Sequence, residues 1–111
     1  LLVNELAPRV HNSAHYSLEA LSEDQFTLHL KALTGASLAH PQPLTGGFAM
    51  HNLLGSSRKT PKWKLPSQVR LHWYGKQENR PGRKMGHLNA CHSDPDKALN
   101  QLKRAAKEFD L

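Results

Sequence analysis

Two alternating runs, "QVRLHWY" (68–74) and "MGHLNAC" (85–91), bracket the stretch "GKQENRPGRK". In the first run Val69, Leu71 and Trp73 alternate with Arg70, His72 and Tyr74, the period of a half-buried strand. Pro81 and Gly82 suit the two central positions of a type II turn, where proline presets one φ and glycine takes the positive one. This combination predicts an antiparallel hairpin, with the second run as the weaker strand. Arg80 and Arg83 then lie close together at the tip.

The flanking elements follow from local chemistry. Residues 48–55, "FAMHNLLG", read as a further strand. The chain ends in a helix with Asp94 at the N-cap and Pro95 at the first helical position. Its apolar face is Ala98, Leu99, Leu102, Ala105, Ala106 and Phe109. Upstream, Ser22-Glu23-Asp24-Gln25 has the form of a capping box, with Leu21 and Phe26 as its hydrophobic staple. Phe26, Leu30 and Leu33 then form one apolar face, and Gly35 closes that helix. Residues 35–47, "GASLAHPQPLTGG", are a Pro/Gly-rich connector and the expected boundary. Leu1 to Leu6 read as a strand ended by Pro8, which has no N–H to donate. The predicted order is β-α, connector, β-β-β-α, an α+β arrangement.

Charge is unevenly spread along the 111 residues, whose net is +6. Residues 1–57 carry Arg9 and Lys31 against Glu5, Glu19, Glu23 and Asp24, and residues 90–111 balance. The excess lies in 58–89, where nine cations face Glu78 alone, so an anionic partner is expected there. No apolar run approaches the roughly 18 residues that span a bilayer, and no leader is read. A single cysteine, Cys91, excludes an internal disulfide and fits a reducing cytosol. It also cannot supply the paired thiolates usual in structural zinc sites. Neither Ser13 nor Cys91 sits in a motif that would activate a nucleophile.

Two constellations remain. After the first run come Asn4, Glu5, Arg9, His11, Asn12, Ser13 and His15 within a dozen positions. Glu5 suits a hard cation shared with phosphate oxygens, Asn4 can hydrogen-bond a nucleotide, and Arg9 can grip a planar anion through two N–H groups. The second constellation is Lys76, Arg80, Arg83 and Lys84 around the Pro-Gly turn, a phosphate clamp by composition. Aromatic and basic residues interleave there as in single-strand nucleic-acid binders. From residues alone, a small phosphate ligand and a nucleic acid bound through residues 58–84 both stay open. Falling affinity with rising salt would separate them.

"VNELAPRVHNSAHYSLEA" and "LHWYGKQENRPGRKMGHLN" together resemble the 5-(carboxyamino)imidazole ribonucleotide synthases, ATP-grasp enzymes of purine biosynthesis, with the helix "SEDQFTLHLKALTG" between them in the family's order. The resemblance covers nearly the whole chain. It implies the C-terminal end of an ATP-grasp lobe in residues 1–43, then a small β-rich C-terminal domain with a terminal helix in 44–111. The implied ligase converts 5-aminoimidazole ribonucleotide, bicarbonate and ATP to the carboxyamino product, ADP and phosphate, through carboxyphosphate. Glu5 would hold Mg2+, with Asn4 beside it at the ATP site. Arg9 and His11 would be catalytic, Arg9 against bicarbonate or carboxyphosphate. Asn12 and Ser13 would line the substrate pocket, and Lys76, Arg83 and Lys84 would reach the ribonucleotide phosphate. A cytoplasmic homodimer is implied for the full-length enzyme, with neither nucleic acid nor membrane as partner.

The related ATP-grasp formyltransferases tend to read "SPRPHDTG" where this chain has "APRVHNSA", and lack the full "RPGRKMGH" run. Ala14 stands where the synthases have glycine, so strain is expected if that position has positive φ. The chain opens at Leu1, without Met and in what reads as mid-strand, so an upstream part is expected. The glycine-rich phosphate loop, the ATP-binding lysines and a second acidic metal ligand would lie there. The 111 residues alone are then not expected to catalyse; a decayed remnant is the remaining alternative.

Overall fold

Gly82 adopts φ 74°, and the Arg83 N–H donates to the Arg80 carbonyl at 3.0 Å. Pro81 and Gly82 thus close a tight turn whose third residue is left-handed, the geometry glycine takes at no steric cost. In the computed structural model, which describes residues 2–56 and 65–108, the turn lies between β2 (Val69–Trp73) and β3 (Lys84–His92). The two strands pair antiparallel, with Leu71 opposite Leu88 and Trp73 opposite Gly86. On the other side of β3 runs β1 (Gly47–Leu54), also antiparallel, so the sheet order is β1-β3-β2. The strand expected to be the weaker one is therefore central. Its register puts Leu88 and Ala90 on one face with Ala49, Leu53, Val69 and Leu71, and His87 and Asn89 on the other with Asn52, Arg70 and His72. Gly86 makes the close pairing possible, since a Cβ there would sit 2.5 Å from the His72 carbonyl oxygen.

The apolar face is covered by α3 (Pro95–Lys107). Asp94 caps this helix through Oδ1, which accepts the Asp96 N–H at 2.9 Å and the Lys97 N–H at 3.4 Å. Pro95 opens it, where a missing N–H leaves nothing unsatisfied. Leu102 and Ala105 pack with Leu53, Val69, Met85, Leu88 and Ala90 into the core, and Ala106 lies against it. Ala98 is also buried. Leu99 is largely exposed, a correction to the predicted face; Phe109 lies outside the described residues, as does the basic run 58–64.

The chain divides into two compact units, Leu1–Leu44 and Thr45–Leu111. Sheet and α3 make up the second. The first holds a 3-10 turn (Asn12–Ala14), α1 (Ser17–Ala20) and α2 (Gln25–Thr34). Residues 2–6 form no strand, and Leu2, Val3 and Leu6 are exposed. A strand exists only where a partner takes up its backbone groups, and among the described residues none pairs with this segment. The cap of α2 is also corrected. Asp24, not Ser22, occupies the N-cap, and its carboxylate accepts the Phe26 N–H (2.8 Å), the Thr27 N–H (3.2 Å) and the Thr27 hydroxyl (2.9 Å). Ser22 instead pairs with the connector: its N–H donates to the Gln42 carbonyl and its hydroxyl accepts the Gln42 N–H, each at 2.9 Å. Gly35 ends α2 at φ 69°. The predicted apolar face of α2 is largely uncovered, with Leu30 at 61% and Leu33 at 71% exposure. No helix among the described residues is long and apolar enough to cross a membrane.

Candidate functional site

Gln25, the first residue of α2, organises the polar loop that precedes the helix. Its Oε1 accepts the His11 N–H at 2.8 Å, and its Nε2 lies 2.6 Å from His15 Nδ1. Its own N–H donates to the Ser17 hydroxyl at 3.0 Å, which in turn donates to the Ala14 carbonyl at 2.6 Å. Ser17 is buried, so the helix start and the 3-10 turn share one hydrogen-bonded anchor. The His15 ring stacks on Phe26 with centroids 5.5 Å apart. Ala14 lies inside the right-handed 3-10 turn, a conformation open to any L residue. The strain expected at this position is therefore absent.

Within the loop, His11 bridges two predicted site residues. Its Nε2 is 3.3 Å from Glu5 Oε1, and its Nδ1 is 2.8 Å from the Ser13 hydroxyl. The Ser13 N–H also donates to Nδ1, at 3.3 Å. A backbone N–H can only donate, so Nδ1 is the acceptor and the neutral ring carries its proton on Nε2, facing the carboxylate. His11 thus has a polar contact with Glu5 on one side of its ring and hydrogen bonds with Ser13 on the other. This geometry superficially resembles a nucleophile relay, but the groups stand at an open surface, with the Glu5 side chain 62% exposed, and the Ser13 contacts belong to the cap of the 3-10 turn. Arg9 is exposed, and its guanidinium donates to the Val10 carbonyl at 3.1 Å. Asn4 is exposed and Asn12 is half-buried at the start of the 3-10 turn. Arg9 and Gln25 line a groove of about 710 Å³ whose walls are Val10, Leu28, Leu33 and Leu38.

Asp24, next to Gln25, has a carboxyl held below its ordinary value of 3.8. Partial burial acts in the opposite direction, but the hydrogen bonds from Thr27 and Phe26 outweigh it.

In the second unit the predicted cations surround the hairpin loop. Lys76 Nζ donates to the Lys84 carbonyl at 2.6 Å and stands 5.4 Å from the centre of the Tyr74 ring. The Tyr74 hydroxyl is 2.8 Å from Nδ1 of His87, which is 2% exposed and stacks on His72 with centroids 4.5 Å apart. Arg80 and Arg83 meet on one carboxylate, with Glu78 Oε2 at 2.5 Å and 3.6 Å. Glu78 therefore offsets part of the charge expected to be open at the tip. Lys84 is exposed at the start of β3. A groove of about 1210 Å³ in this unit runs along β1 and α3 past Leu54, Leu99, Lys103 and Arg104, and none of Lys76, Arg83 or Lys84 lines it.

In the first loop a hard divalent cation would find a single carboxylate. Among the described residues no three acidic, histidine or cysteine side chains gather to hold a metal, but the exposed Glu5 can supply one carboxylate. An ion of the magnesium type is commonly held by one or two carboxylates and completed by water and phosphate oxygens. Three residues that organise these loops were not singled out from the sequence: Gln25, which the capping-box pattern assigned elsewhere, and Tyr74 and His87, which read as ordinary strand positions. A glutamine at a helix start, following two histidines four apart, was the signal available for the first.

Residues 49–101 match the family model of the phosphoribosylaminoimidazole carboxylase C-terminal domain. The N5-carboxyaminoimidazole ribonucleotide synthase of Escherichia coli strain K12 is 52% identical over 103 residues, 92% of this chain and 28% of that protein. That of Haemophilus influenzae is 46% identical over 112 residues, 98% of this chain and 29% of that protein. Among solved structures, N5-carboxyaminoimidazole ribonucleotide synthetase from Thermotoga maritima superposes with a TM-score of 0.82 at 40% identity, over 96% of this chain and 32% of that one. The synthase from Aspergillus clavatus, in complex with ADP and 5-aminoimidazole ribonucleotide, gives 0.73 at 25% identity, over 93% of this chain and 30% of that one. The chain spans a little over a quarter of the length of these curated relatives.

Proposed function

By sequence and by fold the chain belongs to the N5-carboxyaminoimidazole ribonucleotide synthase family, and from that premise we propose that it supplies the C-terminal part of the active site of an ATP-dependent carbon–nitrogen ligase. The ligase converts 5-aminoimidazole ribonucleotide, bicarbonate and ATP to the N5-carboxyamino product, ADP and phosphate. The observation that carries this reading is a single match at 52% identity running through 92% of the chain. Residues 1–43 end the ATP-grasp lobe and 44–111 form the small C-terminal domain, a division supported by the two compact units.

The roles follow the family resemblance. Transfer of the γ-phosphoryl group to a bicarbonate oxygen gives carboxyphosphate; the exocyclic amine then attacks its carbonyl carbon and phosphate leaves. Both steps concentrate negative charge, so fixed cations matter more than acid–base groups. Arg9 offers a forked donor to the carboxyphosphate, and His11, two residues on, has its ring against Glu5 and Ser13. Asn12 and Ser13 line the pocket for bicarbonate and the ribonucleotide. Glu5 would hold Mg2+ and Asn4 would contact ATP; the ion, when bound, would supply neutralising charge to the phosphate oxygens. Lys76, Arg83 and Lys84 take the ribonucleotide phosphate. The basic loop is read as serving this small anion rather than a nucleic acid. The working enzyme is read as a cytoplasmic homodimer.

The test is a graft. This chain replaces the homologous C-terminal part of the Escherichia coli synthase, and ADP release is followed with and without 5-aminoimidazole ribonucleotide and bicarbonate. Release that depends on the ribonucleotide is expected. A graft that melts cooperatively yet releases no ribonucleotide-dependent ADP overturns the reading.

A further inference from the structure

We propose that Gln25 is the positioning residue of the His11–His15 loop: its side-chain amide sets the loop on the start of α2 and dictates the tautomer of His15. One group in this arrangement has a fixed role. The His11 backbone N–H can only donate, and it points at Gln25 at 2.8 Å. The oxygen of the amide must therefore face His11, which turns the NH2 group toward His15 Nδ1, 2.6 Å away. An amide NH2 can only donate, so Nδ1 is the acceptor and the neutral His15 ring carries its proton on Nε2. Stacking on Phe26, the next residue of the same helix, holds the ring plane. The Gln25 backbone is itself fixed by the buried Ser17 hydroxyl.

One side chain thus ties both ends of a segment that contains His11, Asn12 and Ser13 to a helix capped by Asp24. The consequence for catalysis rests on the function proposed above. Gln25 touches neither substrate nor ion in this scheme; it acts through the loop. Glutamate at this position keeps the acceptor for the His11 N–H but loses the donor. His15 then turns an N–H on Nδ1 toward the carboxylate and holds a charge over a wider pH range.

The test uses the 111-residue chain itself, with 15N shifts of the imidazole nitrogens as the readout. In the unsubstituted chain His15 at neutral charge is expected to show a protonated Nε2 and an unprotonated Nδ1. Gln25→Glu is expected to shift the His15 titration upward by about 1–2 units, as an adjacent carboxylate does. Gln25→Leu, which keeps the helix but removes both hydrogen bonds, is expected to raise the share of the His15 tautomer protonated on Nδ1. A neutral His15 protonated on Nδ1 in the unsubstituted chain, or a His15 titration unmoved by Gln25→Glu, overturns the proposal. The graft described above adds a separate arm. With a graft that is active when unsubstituted, Gln25→Leu is expected to raise KM for the ribonucleotide or bicarbonate about tenfold while KM for ATP changes little. Equal loss for all three substrates overturns the positioning role. Lack of activity in the unsubstituted graft counts against the proposed function alone, because the imidazole shifts decide the role of Gln25 without it.

Discussion

At the scale of single residues, Asp24 shows how one carboxylate carries both a fold decision and a pH dependence. Its oxygens take two backbone N–H groups that the first turn of α2 would otherwise leave without partners. Loss of such a cap costs about 1 kcal/mol, near a fivefold change in the local opening equilibrium. Asp24→Ala is therefore expected to speed amide exchange in α2 about fivefold at neutral pH. Because the folded carboxyl titrates below its ordinary 3.8, the ionised cap contributes fully above that value. The contribution falls away as pH drops through the lower, folded value, and none remains below it. Asp24→Asn keeps an acceptor and removes the ionisation. Protection of α2 in Asp24→Asn is expected to be nearly flat between pH 5 and 2, while the unsubstituted chain loses protection across that window. A flat profile in both would mean that the carboxylate does not hold the helix start.

At the scale of elements, the hairpin between β2 and β3 separates two kinds of glycine. Gly82 needs its positive φ, yet a Cβ there would meet nothing within 4 Å. Gly82→Ala is expected to cost the left-handed penalty alone, about 1–2 kcal/mol. At Gly86 the added Cβ would lie 2.5 Å from the His72 carbonyl oxygen and 3.2 Å from the Trp73 ring. The strand itself must shift, so Gly86→Ala is expected to cost about 3 kcal/mol or more. Urea midpoints of the two variants check this; equal values would refute the close approach of β2 to Gly86. The same hairpin shows what the sequence made legible. The turn, the Asp94-Pro95 helix start and the Gly35 stop were readable because each is settled by a few adjacent residues. The weight of β3 was not, since His87 and Asn89 look like surface residues but are buried at 2% exposure on the polar face of the sheet. The first segment failed for the same physical reason: strand formation depends on a partner that periodicity does not reveal. In the candidate site, the crowding of Glu5, His11 and Ser13 was visible as composition, whereas the role of Gln25 came from a hydrogen bond fourteen residues back along the chain. Both Ser22 and Asp24 offered capping chemistry, and the connector's claim on Ser22 through Gln42 decided between them.

At the scale of the whole molecule, the two units differ in what holds them. Unit 45–111 has a core of Leu53, Val69, Met85, Leu88, Ala90, Leu102 and Ala105. In unit 1–44, Ala20 is the one buried apolar residue among those described, and α2 leaves Leu30 and Leu33 open. Burial of apolar area is the dominant favourable term in folding, so local opening is expected to be far easier in the first unit. Amide hydrogens of α2 in the 111-residue chain are expected to exchange at least a hundredfold faster than those of Leu88–Ala90, a gap of about 2.7 kcal/mol. Exchange followed by NMR or mass spectrometry at neutral pH measures it directly. The comparison becomes a test of function when repeated on the graft. If residues 1–43 close an ATP-grasp lobe, the open face of α2 is covered there, and its exchange is expected to slow toward that of β3. The core of the second unit is already complete, so β3 is expected to change little. Unaltered exchange in α2 within a folded graft would mean that Leu30 and Leu33 do not face a lobe, and the assignment of the first unit would fail even if the second unit kept its family fold.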